Sequence, residues 1–356
     1  MKKKKKPFRH RFAQTLQFMA KGRQKQPRLD KPLESIVILA KERYGDSIML
    51  TPLIGALRRE YPELSIYVIT FSQLIFNFFS ADPNITAVYH TKRNLARYFK
   101  GVLFKKFDLL FNPKDHPSTN FLIHSTLIRA RYKTGHLNTF HEGLYDHLID
   151  LPKKTHESEK NLSLLNIINA KREAQSCKPY LPPLPVSETI TLFLKTLQPG
   201  HCIGINISAG HSGGHRTVNQ WSDLIRNFPQ ESFVLFSAPD DAEEKKELEQ
   251  QHANIKQSPS TRNLNEVGEI VRNLKLLISP DTALIHVASC SDTPIIGLYR
   301  NTMIDHHQFG PMSTLQEVII SPTLDVVDIE TETILASLNN MMIKLHNTSK
   351  KSTDTL

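Results

Sequence analysis

Two consecutive α/β domains, each built on a parallel sheet, are predicted by three observations. Short apolar runs alternate with helical patterns; the alternation stops at a proline-rich segment and restarts beyond it; and 356 residues are enough for two cores of roughly 150 residues but too many for one. Strand-helix alternation of this kind is the pattern of parallel sheets flanked by helices.

The chain opens on a basic tail. Residues 1–31 hold twelve Lys and Arg against Asp30 alone, so the tail carries +11 of the formal +10 and the remaining chain about −1. A protein that tracks phosphates carries its cations on a folded face, so this distribution argues against nucleic acid as a partner. Phe8, Phe12, Leu16 and Met19 recur at helical spacing among the basic residues. Two readings fit: a helix lying on an anionic membrane surface, or a solvated arm. No apolar run approaches the roughly 18 residues of a spanning helix, and the Lys run leads into no signal-peptide h-region. Cys177, Cys202 and Cys290 lack CxxC spacing, so neither a disulfide framework nor a zinc site is expected, and a cytoplasmic setting is.

In the first domain, residues 32–176, strands are expected at Ser35 to Ala40, Leu64 to Thr70, Ile85 to His90, Phe107 to Asn112 and Arg131 to Gly135, with helices over Ser47 to Glu60 and Glu157 to Lys171. The segment CKPYLPPLPVSE, residues 177–188, has four prolines in twelve positions and cannot continue a helix or a central strand, which makes it the linker. In the second domain, residues 189–346, strands are expected at Cys202 to Ser208, Ser232 to Ser237, Leu276 to Ser279 and Pro294 to Tyr299. Helices are expected at Trp221 to Phe228, Ala242 to Gln251, Leu264 to Asn273, Thr282 to Ser289 and Asp328 to Lys344, with residues 347–356 a frayed end. Open parallel sheets bind ligands beyond the carboxyl ends of their strands, so function is sought at three strand-to-helix junctions.

The first junction, AKERYGDSIMLTP, places Asp46 just before a helix after the turn-forming Gly45. A helix N-cap and a carboxylate facing ligand both suit that position. The second, GINISAGHSGGHRTVNQWSDL, sets Ser208 and three glycines between strand and helix, where backbone amides can approach a diphosphate and Arg216 can pair with its charge. A plain flexible connection fits equally. His211 and His215 have no carboxylate partner, and no metal site is expected. In the third, LLISPDTALIHVASCSDTPIIGLYRNT, Asp281 forms a turn, Thr282 opens a helix, and the amides of Thr282, Ala283 and Leu284 are placed to hold an anion. Asp281 suits sugar hydroxyls or a cap; His286, one turn on, suits a ligand contact or packing against the sheet.

GDSIMLTPLIGALRREYP followed by PDTALIHVASCSDTPIIGLY resembles glycosyltransferase family 9, the lipopolysaccharide heptosyltransferases and their relatives, over roughly residues 35–345. The resemblance implies a GT-B arrangement of two Rossmann-like domains facing across a cleft. It also implies inverting, metal-independent and cofactor-free transfer of heptose or a hexose from a nucleotide-diphosphate donor such as ADP-heptose to a lipid-linked glycan of the lipopolysaccharide core, on the cytoplasmic face of the inner membrane. Asp46 matches the family's base; Ser208, Arg216, Asp281, Thr282, Ala283, Leu284 and His286 fall on the donor side. The sequence departs from the pattern where relatives carry a cation two residues before the tryptophan: Asn219 stands there, and Arg216 is the nearest preceding cation. That departure raises the alternative of a non-catalytic scaffold that binds sugar nucleotide or glycan.

Overall fold

The computed structural model describes residues 11, 12, 14–16, 18, 29, 32–170, 178–210 and 214–353, the last six of these in backbone only. Most of the basic tail, together with Cys177, His211 and Gly213, lies outside the described residues. The chain divides into two compact units, Met1–Pro183 and Leu184–Leu356, the division falling inside the proline-rich segment.

The first unit is a six-stranded sheet: β1 (Ser35–Leu39), β2 (Ser65–Thr70), β3 (Ala87–His90), β4 (Lys106–Asn112), β5 (Arg129–His136) and β6 (His147–Ile149). Its order is β3-β2-β1-β4-β5-β6, with parallel pairing throughout. The central strand reads SIVIL, and Ile36 to Leu39 are wholly buried, as expected of a strand covered on both faces. Around the sheet lie α1 (Tyr44–Ile48), α2 (Thr51–Glu60), α3 (Gln73–Ser80), α4 (Leu95–Tyr98), α5 (Thr119–Leu127), α6 (Glu157–Leu162) and α7 (Leu164–Ile167).

The second unit repeats the plan with β7 (Cys202–Asn206), β8 (Ser232–Phe236), β9 (Ile255–Lys256), β10 (Leu276–Pro280), β11 (Ile295–Tyr299) and β12 (Gln316–Ile320), in the order β12-β11-β10-β7-β8-β9, again all parallel. Its helices are α8 (Glu188–Thr196), α9 (Val218–Arg226), α10 (Ala242–Gln251), α11 (Leu264–Arg272), α12 (Ala283–Ser291), α13 (Asp305–Gln308) and α14 (Thr331–Thr353). The last helix runs past the expected end at Lys344. Ile334, Leu338 and Met341 bury in the core that Trp221 and Leu224 of α9 share, so α14 belongs to the second unit.

The strands missing from the sequence-based set are all at sheet edges: β6, β9 and β12. Edge strands are short and half exposed, so their residues need no continuous apolar run; β12 reads QEVII with only Ile319 buried. The expected helix over Ser47 to Glu60 is two helices. The Thr51-Pro52 pair makes the break: Pro52 opens α2, the Thr51 hydroxyl donates to the Ile48 carbonyl at 2.7 Å, and it accepts from the Tyr180 amide at 2.9 Å.

Gly204 sits at the centre of the second sheet because nothing larger fits. A Cβ there would meet Leu274, would lie 3.0 Å from Leu277, and would come within 3.2 Å of Phe236. Gly204→Ala therefore overpacks the core and lowers unfolding free energy by about 1–3 kcal/mol, read from urea denaturation. An unchanged midpoint would contradict this packing.

Candidate active site

At the carboxyl ends of β1, β4 and β5 the first unit gathers charge that its apolar core cannot hold. Lys41 follows β1 and is buried, as are Glu157 and Lys160 on α6. The Lys41 ammonium donates to Glu157 Oε1 and lies 3.7 Å from Asp46 Oδ1; Lys160 lies 3.6 Å from Glu157 Oε2 and 2.5 Å from Asp115 Oδ2. Burial alone pushes the Lys41 pKa down, but Glu157 and Asp46 more than reverse this and hold it above the ordinary lysine range. For Asp115, burial pushes up while hydrogen bonds from His116 and Lys160 prevail, leaving its carboxyl far below the usual range.

Asp46 is not the helix cap that its position suggested. Arg43 occupies the N-cap of α1 without a side-chain bond, and Asp46 is the third helical residue, in the first turn. A carboxylate there gains from the helix dipole without being consumed as a cap. Its side chain is 18 % exposed, and Lys41 lies against it on one side. Asn161 of α6 donates to the Met49 carbonyl at 2.9 Å, tying the same helix to the α1–α2 break.

Beside this cluster lie two buried imidazoles. His141 Nδ1 donates to the His136 carbonyl at 2.7 Å, and its ring lies 4.6 Å from that of Tyr145, centroid to centroid. Burial lowers both His136 and His141 to about 4.

In the second unit the second and third junctions come together. Asn206, the last residue of β7, donates at 3.0 Å to both Ser279 Oγ and Thr282 Oγ1. At Gly210 a Cβ would stand 3.3 Å from the Asp281 carbonyl, so the glycine permits the close approach of the two loops. Thr282 caps α12 by accepting from the Leu284 amide at 3.3 Å. Leu284's amide is thus engaged in the cap, whereas the Ala283 amide lies outside it.

These residues line a cavity of about 750 Å³. Asn206, Ser208, Gly210, Thr282, Ala283 and Leu284 form one side; Leu235, Phe236, Val267 and Ile270 give an apolar wall. Ser208 shapes the rim, its hydroxyl bonding Asp241 and accepting from the Ala238 amide at 2.7 Å. Lys245 and Lys246 also line it. Lys245 is engaged with Ser258 O at 2.8 Å and Glu249 at 3.4 Å; Lys246 is exposed.

Two expected donor-side residues are placed differently. Arg216 is 2 % exposed, donates to Ile329 O and, at 2.7 Å, to Thr331 Oγ1, and stacks 5.3 Å from the Trp221 ring. Its guanidinium fastens the start of α14 to α9 and does not line the cavity. His286 is buried inside α12 and is likewise absent from the lining; Asp281, in the turn before Thr282, is half buried, and its amide donates to Leu298 O at 3.0 Å. Asn206 and Lys246 were missed from sequence; the polar Asn206 within the apolar run of β7 was the available signal.

Two such parallel sheets, each with polar groups gathered at its strand ends, make a pair of Rossmann-like units. Residues 97–337 match the profile of glycosyltransferase family 9 (heptosyltransferase), and the chain belongs to that family. It is 24 % identical over 296 residues to lipopolysaccharide heptosyltransferase 3 of Escherichia coli, covering 76 % of this chain and 84 % of that one. Among solved structures, a family 9 glycosyltransferase from Veillonella parvula superposes with a TM-score of 0.70 at 16 % identity, covering 90 % of this chain and 100 % of the other. E. coli heptosyltransferase WaaC with ADP gives 0.66 at 16 % identity, covering 86 % and 99 %. The fold is therefore GT-B, and the protein is a glycosyltransferase of the heptosyltransferase family.

Two outcomes follow for stability. His136 and His141 titrate near 4 when folded and near 6.5 when unfolded, so below pH 6.5 the unfolded chain takes up protons that the folded chain refuses. Stability falls as pH drops from 6.5 to about 4, by about 1.4 kcal/mol per pH unit for each ring, and His141→Gln makes the slope shallower in urea titrations across that window. Arg216→Met leaves the Ile329 carbonyl without its donor and lowers stability by about 2 kcal/mol, read as a shifted denaturation midpoint.

Proposed function

We propose that the protein transfers heptose, or a hexose, from a nucleotide-diphosphate donor to a lipid-linked glycan of the lipopolysaccharide core, with inversion and without a metal. The observation that carries this reading is the second unit's cavity, where an apolar wall suited to a nucleobase meets the amino terminus of α12, suited to a diphosphate. E. coli heptosyltransferase WaaC, solved with ADP and with ADP-2-deoxy-2-fluoro heptose, supports an adenine nucleotide as the carrier.

Asp46 accepts the proton of the acceptor hydroxyl as that oxygen bonds to the anomeric carbon. The bond from that carbon to the β-phosphate oxygen breaks, its electron pair leaves with the nucleoside diphosphate, and the configuration inverts. Lys41 positions the Asp46 carboxylate. Negative charge gathers on the departing diphosphate, where the Ala283 amide and the dipole of α12 act with most effect late in the reaction. Lys246 supplies the cation that Asn219 and the engaged Arg216 do not. Asp281 acts on the donor's sugar side from the turn before α12, and His286, buried inside that helix, supports it by packing and not by contact. An acceptor anchored in lipid places the enzyme at the cytoplasmic face of the inner membrane, with the basic tail available to touch anionic lipid.

Transfer assays with ADP-heptose and a lipid-linked core acceptor test the reading. Asp46→Asn loses about 10²–10⁴-fold in kcat with donor KM little changed, as removal of a general base does. Lys246→Ala raises donor KM about tenfold, the loss of one charge-assisted contact. Transfer persists in EDTA, and NMR shows the inverted anomer. A parent protein inert across many donors would favour the scaffold alternative that Asn219 motivates.

A further inference from the structure

The connection from β3 to β4 has a composition that neither the glycosyl transfer nor the core requires. Residues 92–106 read KRNLARYFKGVLFKK, with six cations, and no acid occurs between Asp82 and Asp108. Outside the tail the chain sums to about −1, so this is a strong local segregation of charge. No ion pair involving Lys92, Arg93, Arg97, Lys100, Lys105 or Lys106 occurs among the described residues.

The same stretch carries two apolar sets. One is buried: Tyr98 and Val102, one helical turn apart, join the core cluster of the first unit. The other is presented to solvent: Leu95 is 54 % exposed, Phe99 46 % and Phe104 76 %. Leu95 and Phe99 share a face by their spacing of four. The helix then widens into a π-turn over Phe99–Leu103, closed by the Phe104 amide on the Phe99 carbonyl at 3.0 Å. Single exposed apolar residues are ordinary on protein surfaces, but three within ten residues, interleaved with cations, are not. At the start of the stretch, His90, Arg93 and Arg97 line a depression of about 260 Å³ with Phe76 and Tyr89. Its cations suit a phosphate group.

The N-terminal helical residues reach the same region. Leu16 packs in the cluster that holds Tyr98 and Val102, with Phe12 against it, while Phe18 is 65 % exposed.

We propose that residues 92–106 form a docking face for an anionic lipid bilayer, in which Leu95, Phe99 and Phe104 enter the headgroup region and the surrounding Lys and Arg meet lipid phosphates. Charge complementarity selects this occupant: cations in such number repel a basic partner and gain no attraction from a neutral one, and side chains of both kinds on one short helical stretch match an interface that is anionic above and apolar below. The inference does not rest on the donor or on Asp46, since lipid binding is read without either.

Co-sedimentation of the full chain with vesicles tests it, comparing phosphatidylcholine alone with phosphatidylcholine containing one quarter phosphatidylglycerol. Expected are binding to the anionic vesicles, weakening with salt, and a loss of about tenfold in partition for both L95S/F99S/F104S and K92E/R93E/K100E/K106E. Each variant's thermal unfolding, compared with the parent, shows that it is folded. In F104W, the new tryptophan's emission shifts to the blue on anionic vesicles, against the constant signal of the fully buried Trp221. The proposal is overturned if the parent ignores anionic vesicles, or if both folded variants bind as the parent does, which would assign the contact to the tail alone. Equal binding to neutral vesicles would overturn the charge-selected part of it.

Discussion

Lys41 is an ammonium taken almost wholly out of water, and the first unit's strand-end cluster is organised around keeping it paired. A buried charge left without its partner destabilises strongly, whereas a complete network with good geometry is tolerated. Lys41 follows β1, a central strand; Glu157 opens α6, where the helix dipole also favours a carboxylate. Their pairing therefore fixes α6 against the end of the sheet. Four residues along α6, Asn161 then reaches the Met49 carbonyl at the break between α1 and α2. Asp46 inherits its position from both ends of this arrangement, from Lys41 on one side and from the helix that Asn161 braces on the other.

The second unit meets the same constraint at the end of β7 with a neutral group. A parallel sheet covered on both faces can keep polar chemistry only at its strand ends. Here a neutral amide, Asn206, spans the ends of β7 and β10 and fixes the cap of α12 through Thr282. Fixing the cap also fixes which first-turn amide is consumed and which is not.

The alternation of apolar runs and helices was legible because a doubly covered strand must be apolar along its length, as in SIVIL and LLISP. Edge strands escape that requirement, which is why β6, β9 and β12 carried no signal. Asp46 was singled out in the sequence, but its setting was not: Lys41 and Glu157 lie 116 residues apart, and nothing local in either segment announces the pair. Arg216 shows the opposite failure. A cation beside a glycine-rich loop reads as a phosphate ligand, yet the start of α14, more than a hundred residues on, supplies a carbonyl and a hydroxyl that claim it first. Lys246 sits in an unremarkable charged helix, and only the fold brings that helix to the cavity wall.

Pairing, more than number, separates the lysines of this protein by role. Lys41 and Lys160 each face carboxylates and are buried, so their charge serves the fold. Lys92, Lys100 and Lys106 face none among the described residues and are exposed. A surface tuned only for solubility intersperses both signs and keeps aromatic rings inside. The β3–β4 connection does neither, since Tyr98 and Val102 already anchor it to the core. Leu95, Phe99 and Phe104 add nothing to that anchoring, so their exposure beside unpaired cations has to be explained by something outside the fold.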